Sequence, residues 1–470
     1  MLRLRAGFLV VVGLLVVAAS TSTAAAEDDE AARPKINSFY RWLEDWSPLA
    51  DTRLRTEPLD RLKYIPLPFV DDPKSYLSLG LTVRERFEFN DAPQFGIGDS
   101  KSDSYLLDRL QWHVDVRPNA HWQLFVEFED VRAPGKDVIT PVDENPLDLR
   151  LAFVAYVDSF WGGTLKARVG RQEMAFDLQR FVSVRDGPNV RQAYDAAWLD
   201  WEQGKWRFIG FWSMPVQYRS EHFFDDFSDW HFQYGGARVE RQSVGPGDLS
   251  AYYSRFILDK TRFLDASGDE RRNNFDIRYA GVRAGFDWDL EAMGQFGDIG
   301  GKNIRAWAVG SRSGYTFADV AWAPRLGLQI DAASGDHQAG DRTLGTFNPL
   351  FPNGYYFTLA GYTGYVNLIH LRSSLTVKPI KSLTLMLATA MQWRETTADA
   401  VYVQPNIPVR GTAGQAGRWS GVYVQARADW AITPNLAAAV EAVRFQIGDV
   451  IRRAGGHDST YVNCELKFAW

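Results

Sequence analysis

Alternation of apolar and polar residues is the dominant pattern of the chain from Tyr76 onward. In the first such run, residues 76–90, leucine, valine and phenylalanine alternate with small, polar and charged residues. A period of two places the two sets on opposite faces of a β-strand. Similar runs recur to the C-terminus with no long helical pattern between them, so the sequence predicts an all-β fold.

Eighteen strands are predicted from these runs. Their predicted bounds are 76–90, 104–117, 121–132, 148–159, 163–172, 192–203, 205–214, 230–242, 247–260, 275–288, 289–300, 304–317, 324–334, 364–378, 382–394, 419–430, 434–447 and 460–470. Short turns alternate with long loops between them, apart from the short connection 301–303. The predicted long loops are 91–103, 133–147, 173–191, 215–229, 261–274, 335–363, 395–418 and 448–459.

An even number of long strands with one apolar face is typical of a transmembrane antiparallel β-barrel. Lipid offers no partner for backbone N–H and C=O groups, so a sheet that spans it closes on itself. The alternative is a large soluble β-sandwich or propeller. Strand length, aromatic residues near strand ends and the last strand favour the barrel. In that strand Cys464, Leu466 and Phe468 alternate with polar residues up to Trp470.

The composition narrows the class of protein further. The chain has 470 residues, is 46% hydrophobic and 23% charged, and carries a formal net charge of -6. These values exclude disordered and collagen-like chains and disfavour a nucleic-acid binder. No run of 18 apolar residues follows the N-terminus, which excludes a polytopic helical membrane protein. A single cysteine, Cys464, excludes an intramolecular disulfide.

Three regions are predicted along the chain. Residues 1–26 have a basic start, an apolar stretch at 8–19 and a small-residue cleavage site, which is the pattern of a signal peptide. Residues 27–75 are rich in proline and form a predicted periplasmic N-terminal tail, with a short amphipathic helix at the aromatic residues 39–46. Residues 76–470 form the predicted barrel, and the expected location is the bacterial outer membrane.

The polar face of each strand is expected to line the lumen. Its basic side chains are Arg84, Arg86, Arg109, Arg150, Lys166, Arg168, Arg238, Arg325, Arg372, Arg394, Arg427 and Lys467. Its acidic side chains are Glu88, Asp115, Glu127, Asp148, Glu240, Asp331, Asp429 and Glu465. This modest cationic excess favours passage of anions, because rings of arginine and lysine select anions in pores. Alternatively, these charges pair across neighbouring strands and fill the lumen.

Motifs of catalysis and cofactor binding are lacking in the sequence. It contains no HExxH pair, no GxSxG elbow, no Walker loop and no CxxC. We therefore expect no enzyme activity, no catalytic residues, no cofactor and no resident metal. His370 and Ser374 share a strand face, but a lumen histidine is the preferred interpretation. The acidic runs 265–270 and 331–341 are interpreted as solvated loops, and whether they bind calcium stays open.

Several longer segments resemble the alginate-export family of outer-membrane proteins, whose type member is an 18-stranded barrel. They are RWLEDWS (41–47), LKYIPL (62–67), LTVRERFEF (81–89), GRQEMAFDLQRFVSVRDGPNVRQAYDA (170–196), SGD (334–336), FNPLFPNGYYF (347–357) and NLIHLRSSLTVKP (367–379). The two longest are the most specific, and the resemblance covers most of the chain from about residue 42.

The resemblance implies a pore that moves an anionic polyuronate outward through an arginine-rich lumen. The motif arginines here are Arg84, Arg86, Arg171, Arg180, Arg185, Arg191, Arg372 and Arg394. Four of them lie in or beside loop 173–191, which is expected to fold into the lumen or to cover it. Asp186 and Asp195 are candidates for holding these arginines by bidentate pairing. Arg171, Arg185, Arg191 and Asp195 thereby join the predicted path.

The sequence therefore predicts a channel for passive passage of anionic solutes, including export of an acidic polysaccharide such as alginate. One alternative is a general or nutrient-uptake porin, and a second is an outer-membrane lipid hydrolase. Expected partners are outer-membrane lipid, an anionic saccharide or small anionic solute, and the barrel assembly machinery, which reads a last strand such as the one ending at Trp470. No nucleic-acid partner is expected.

Overall fold

A computed structural model describes residues 33–68, 70–98 and 101–470. The predicted signal peptide, residues 1–26, lies outside the described residues. Within them the chain forms a closed antiparallel barrel of 18 strands, as the alternation predicts. The first and last barrel strands pair from Thr82 opposite Ala469 to Asn90 opposite Tyr461, which closes the sheet.

The barrel strands are numbered in chain order. They are β1 Tyr76–Asn90, β2 Asp103–Arg117, β3 Trp122–Arg132, β4 Asn145–Phe160, β5 Gly163–Gln172, β6 Tyr194–Gln203, β7 Trp206–Pro215, β8 Phe232–Val244, β9 Gly247–Arg262, β10 Ser267–Arg283, β11 Phe286–Ile299, β12 Lys302–Thr316, β13 Arg325–Ala333, β14 Leu368–Ile380, β15 Leu383–Trp393, β16 Trp419–Ala431, β17 Leu436–Ile447 and β18 Ser459–Ala469. Each strand pairs with its neighbours in sequence, so the barrel has a simple up-and-down order.

The remaining elements are short. Two-residue strands lie at Ile65–Pro66, Thr343–Leu344, Tyr402–Val403 and Ile407–Pro408. Single 3₁₀ turns lie at Arg41–Leu43, Ser47–Ala50, Thr52–Leu54 and Pro93–Gly96, and α-helices at Asp60–Lys63 (α1) and Asp449–Arg453 (α2). The amphipathic helix predicted at 39–46 is wrong, because the prolines that follow limit this stretch to 3₁₀ turns. No helix in the described ranges is long and apolar enough to cross a membrane.

Strand β10 is the main difference from the predicted strands. The sequence predicts a long loop at 261–274 and a strand at 275–288, whereas β10 occupies Ser267–Arg283 and turns at Ala284. The polar run 269–274 is typical of a loop. It is a strand here because Arg272 and Asn274 face the lumen, while the pairing with β9 and β11 continues past the apolar part.

The two faces of the wall differ as expected for an outer-membrane barrel. Phe87 is 43% exposed, whereas its neighbours Arg86 and Glu88 are only 2% and 8% exposed. The apolar side chains therefore face outward, and the charged side chains face a filled interior. In outer-membrane barrels the short turns are periplasmic and the long loops extracellular, which sets the two ends of this barrel.

Among the described residues, loops between the strands and the N-terminal residues pack inside the barrel. Residues 173–193, here called inner loop A, connect β5 to β6, and residues 334–367, called inner loop B, connect β13 to β14. Buried aromatic and aliphatic residues of both loops form one cluster with residues of the wall, including Phe211 and Tyr252. The interior core therefore consists of loops docked on the wall.

The N-terminal part, residues 33–66, is called the N-terminal segment and packs at the short-turn end. Arg41 donates hydrogen bonds to the carbonyl oxygens of Leu81, at 3.0 Å, and Trp470, at 2.7 Å. The ring of Trp42 packs edge-on against that of Phe153, whose side chain lies on the inner face of β4. The segment thus lies against both the seam of the barrel and its inner wall.

Candidate functional site

Arginines on the inner faces of β1 and β2 hold the tip of inner loop A. Arg84 donates to the carbonyl oxygen of Asp186 at 2.9 Å and to Oδ1 of Asn189 at 2.8 Å. Arg109 donates to Oδ1 of Asp186 and to the carbonyl oxygen of Asn189, both at 2.7 Å. Burial acts to raise the pKa of Asp186, but Arg109 and other nearby cations hold it well below its ordinary value. Because both arginines are only 2% exposed, they anchor the loop.

Arg86 joins both inner loops to the wall. Its guanidinium donates to the carbonyl oxygen of Gly187 at 3.0 Å and to the hydroxyl of Tyr461 at 2.8 Å. It also pairs with Glu88 at 2.7 Å and lies 5.0 Å from the ring centre of Tyr355 in inner loop B. Arg86 therefore links two loops that are far apart in sequence.

A second charged network lies deeper, around Glu173 at the start of inner loop A. Arg150 forms ion pairs with both Glu127 and Glu173. Arg191 pairs with Glu173 at 2.7 Å and lies 4.5 Å from the ring centre of Phe39 in the N-terminal segment. All four charged groups are at most 5% exposed, so this network supports the loop rather than an open passage.

Aromatic contacts dock inner loop B against inner loop A and the wall. The ring of Phe351 packs edge-on against those of Tyr194 and Tyr234, with ring centres 5.2 Å apart in both cases. Arg185 lies 5.6 Å from the ring centre of Phe351 and donates to the carbonyl oxygen of Leu350 at 3.3 Å. Arg185 is thus a contact between the two loops.

Two further arginines tie inner loop A to the opposite wall. Arg238 on β8 forms a bidentate pair with Asp177 of the loop, with both distances 2.7 Å. Arg180 of the loop donates to Asp289 on β11 and to the hydroxyl of Tyr356 in inner loop B, both at 2.6 Å. Planar guanidinium groups suit such multiple contacts because they carry five donors in a fixed geometry.

Arg312 on β12 and Arg372 on β14 differ from the arginines that hold the loops in their partners and in their exposure. Both approach one neutral acceptor, Oε1 of Gln329, at 3.3 Å and 3.4 Å. Arg312 also donates to the carbonyl oxygen of Tyr356 at 3.2 Å, and among the described residues neither arginine forms an ion pair with a carboxylate. Both are partly exposed on the inner face of the wall. Two guanidinium groups that converge on one amide oxygen, with no carboxylate at ion-pair distance among the described residues, present positive charge to the lumen.

Other partly exposed arginines carry balanced charge. Arg325 on β13 is 26% exposed at its side chain and pairs bidentately with Asp287. Arg427 on β16 is 29% exposed and pairs with Asp429 and Glu441. These pairs line the short-turn half of the lumen without adding net positive charge.

Two predicted path residues, Arg171 and Asp195, lie on the outer face of the wall. Their side chains form a bidentate pair at 2.9 and 3.1 Å, and Asp195 accepts a hydrogen bond from Ser228 of an outer loop. Their neighbours Gln172 and Tyr194 point inward and are fully buried. Because successive side chains of a strand point to opposite faces, the prediction that this pair lines the pore is wrong.

Arg394 at the end of β15 also lies off the lumen path. It donates to five carbonyl oxygens of its own loop, among them those of Thr412 at 2.7 Å and Gln415 at 2.6 Å. Its side chain is 1% exposed. Arg394 stabilises the conformation of loop 394–418, so the prediction that it lines the solute path is wrong.

A cavity of about 490 Å³ lies between the N-terminal segment and the wall at the short-turn end. Its lining includes Trp42 and Trp198, and Arg168, whose guanidinium stacks 4.2 Å from the ring centre of Trp42. Arg168 also donates to the carbonyl oxygen of Glu173 at 3.2 Å. The cavity therefore combines aromatic faces with a cation that has no carboxylate partner among the described residues.

The possible catalytic pair His370 and Ser374 is not assembled. Four residues along a strand span about 13 Å, well beyond hydrogen-bond reach. His370 instead lies 2.8 Å from the hydroxyl of Tyr423 and 3.5 Å from Asp331, and it is fully buried. These contacts are those of a buried lumen histidine.

Sequence reasoning missed Arg312 and Arg278, both of which face the lumen. Arg312 lies in a correctly predicted strand, in phase with Ala308 and Gly310, so the alternation alone could have found it. Arg278 pairs with Asp289 and lies on β10, whose phase was unclear while 261–274 was interpreted as a loop. The alternation therefore carries a signal for Arg312 but not for Arg278.

Comparison with known families gives one match. The Alginate export family model matches residues 75–465. No curated protein sequence matches the chain.

Solved structures with a similar fold are outer-membrane proteins of Pseudomonas aeruginosa. OccK2 (OpdF), solved in complex with glucuronate, has a TM-score of 0.54 at 11% identity, covering 84% of this chain and 96% of that one. OpdK has a TM-score of 0.55 at 9% identity, covering 84% and 98%. OccK5 (OpdH) has a TM-score of 0.52 at 13% identity, covering 86% and 99%. At these identities the likeness shows the fold alone.

Proposed function

Since this chain belongs to the alginate-export family of bacterial outer-membrane channels, we propose that it passes anionic solutes, with acidic saccharides as the preferred class. The carrying observation is the pair Arg312 and Arg372, which share Oε1 of Gln329 and have no carboxylate partner among the described residues. A uronate carboxylate supplies the missing negative charge and accepts bidentate hydrogen bonds from a guanidinium.

Passage is passive and is controlled by the inner loops. A barrel of 18 strands encloses a lumen wide enough for an aqueous channel, and here that lumen is filled by docked loops. Displacement of inner loop B from the cluster around Phe351 opens a route along the wall of β12–β16. Arg312 and Arg372 lie on this route, and their charge lowers the barrier for anions.

The family and one structural neighbour support an acidic saccharide as the solute. The family model is described as alginate export, and OccK2 (OpdF) was solved with glucuronate. The cavity beside Trp42 and Trp198 offers flat aromatic faces next to Arg168, a combination suited to a sugar ring that carries a carboxylate. Alginate, a polymer of such sugars, is the proposed polymeric cargo.

The partners proposed for the barrel follow from its surfaces. Exposed apolar residues on the outer face, such as Leu466 at 52% exposure, contact outer-membrane lipid. Strand β18, which leads to Trp470, is the segment that the assembly machinery reads. Residues 27–75 are the proposed periplasmic region, and the N-terminal segment within it packs at the short-turn end of the barrel.

The proposal is tested by single-channel recording in a planar bilayer under a salt gradient and then with added oligouronate. We expect an anion-selective reversal potential and block by oligouronate. In Arg372→Gln the anion preference falls, because one of the two cations at Gln329 is lost. The matched control is Arg305→Gln, which removes an exposed arginine from the outer face of β12 and leaves selectivity unchanged.

A general or nutrient-uptake porin is the second candidate function. The observation that favours it is the balanced charge of Arg325 with Asp287 and of Arg427 with Asp429 and Glu441. Weakly selective current that neutral sugars block as well as uronates do would decide for this function and against the acidic-saccharide channel.

A further inference from the structure

Three carboxylates from two separate loops meet on the long-loop side of the barrel. Asp265 lies in the turn between β9 and β10, and Asp336 and Asp341 lie in inner loop B. One ligand oxygen from each lies within 4.8 Å of the other two. The two acidic runs that contribute them are more than sixty residues apart in sequence, and only the fold brings them together.

Asp336 is the most unusual of the three. It is only 7% exposed, and its Oδ2 is buried without a hydrogen-bond partner. Its carboxyl group faces that of Asp265 in the β9–β10 turn. A buried carboxylate oxygen that lacks a donor is costly, and a cation beside it removes this cost.

Asp265 and Asp341 are held in position for a shared ligand. Both oxygens of Asp265 accept from the backbone N–H of Gly340 at 3.0 Å, and Lys302 pairs with the same carboxylate. Asp341 accepts from the N–H of Thr343 at 2.7 Å. Lys302 offsets one of the three negative charges, so two remain.

We propose that Asp265, Asp336 and Asp341 bind a divalent cation of the calcium type. Three carboxylates supply the hard oxygen ligands that Ca²⁺ prefers, and the remaining positions of its six to eight ligands are filled by water and backbone oxygens. A net charge of two on the cluster matches that of the ion.

The bound ion links the β9–β10 turn to inner loop B. Residues 343–344 pair with β12 directly after the cluster, and the loop then continues to Phe351 in the lumen. A ligand that binds only the docked loop stabilises that state by mass action. Calcium therefore holds inner loop B in the lumen.

The test uses the full-length protein in detergent micelles. Inner loop B is followed by limited proteolysis while Ca²⁺ is titrated against a chelator. We expect protection that saturates with Ca²⁺, and in Asp336→Asn a half-saturating concentration at least tenfold higher. Asp341→Asn, a less buried position, gives a shift in the same direction and covers the case in which Asp336→Asn fails to fold.

The matched control is Asp269→Asn, which neutralises a carboxylate in the same hairpin that lies outside the cluster and is 60% exposed at its side chain. This variant keeps the Ca²⁺ response of the native protein. Protection that is independent of Ca²⁺, or a response unchanged in both Asp336→Asn and Asp341→Asn, overturns the site. The selectivity assigned to Arg372 is measured separately, in chelator, and does not depend on this outcome.

Discussion

At the scale of single residues, the lumen arginines differ in the groups that accept hydrogen bonds from their guanidinium groups. Arg109 is buried and donates its hydrogen bonds to the tip of inner loop A. Arg372 is partly exposed, and its hydrogen bonds among the described residues go to an amide oxygen and the sulfur of Met386. The sequence marks both as lumen arginines in the same way, because alternation reports the face of a strand and not the partner across the lumen. Anchoring and conducting roles therefore separate only in three dimensions.

Replacement of Arg109 by glutamine tests the anchoring role. Each hydrogen bond to a charged group contributes about 1.5–3 kcal/mol, so the loss of the pair with Asp186 weakens docking of inner loop A. We expect faster protease cleavage between residues 183 and 190. The control is Arg171→Gln, which breaks a bidentate arginine–carboxylate pair on the outer face. Equal cleavage of both variants would remove Arg109 from this role.

At the scale of elements, regular strands were predictable and irregular ones were not. The bounds of β1 and β5 agree with the predicted 76–90 and 163–172, because their alternation is unbroken. Strand β10 was misplaced because its first part is polar on both faces, and polar runs without alternation are typical of loops. The extension of a strand beyond the membrane leaves no apolar signal in the sequence.

The N-terminal segment makes a prediction at the same scale. Lys63 in α1 is fully buried, donates to the carbonyl oxygen of Leu79 at 2.7 Å and lies over the ring of Trp470. Burial and the nearby charge of Arg41 lower the pKa of Lys63 to about 7. When the segment is undocked, Lys63 regains an ordinary pKa near 10.4.

The direction of the pH dependence of docking follows from the protons that Lys63 binds in the two states. Between pH 7 and about 10 the undocked state binds more protons, so docking strengthens as pH rises, by up to about tenfold per pH unit. The protection of the backbone amides of residues 33–66 against hydrogen exchange, relative to the rate of the unprotected chain at each pH, measures this change in docking. Lys63→Met, which keeps the apolar stem without the charge, abolishes the pH dependence. A slope that persists in Lys63→Met would assign it to another group.

At the scale of the whole molecule, the wall of the barrel and the loops inside it depend on contacts of different sequence separation. The wall is built from pairings between sequence neighbours, which is why the alternation was enough to predict it. The contents depend on contacts such as Arg84 with Asn189 and Arg180 with Tyr356, which join residues 105 and 176 positions apart. No local pattern encodes such contacts, so the sequence left open whether loop 173–191 fills the lumen or covers it.

This difference predicts that the loops can be released without loss of the barrel. Phe351→Ala removes a ring packed on two tyrosines, at a cost of about 3–5 kcal/mol to docking of inner loop B. Combined with Arg109→Gln, which shares no partner with it, the two effects add. We expect higher single-channel conductance in the double variant, with unchanged β-sheet circular dichroism and the same heat-dependent shift in gel migration. Each single variant gives an intermediate conductance. Conductance equal to that of the native channel, with the loops cleaved by protease, would mean that the route for solute does not pass the inner loops.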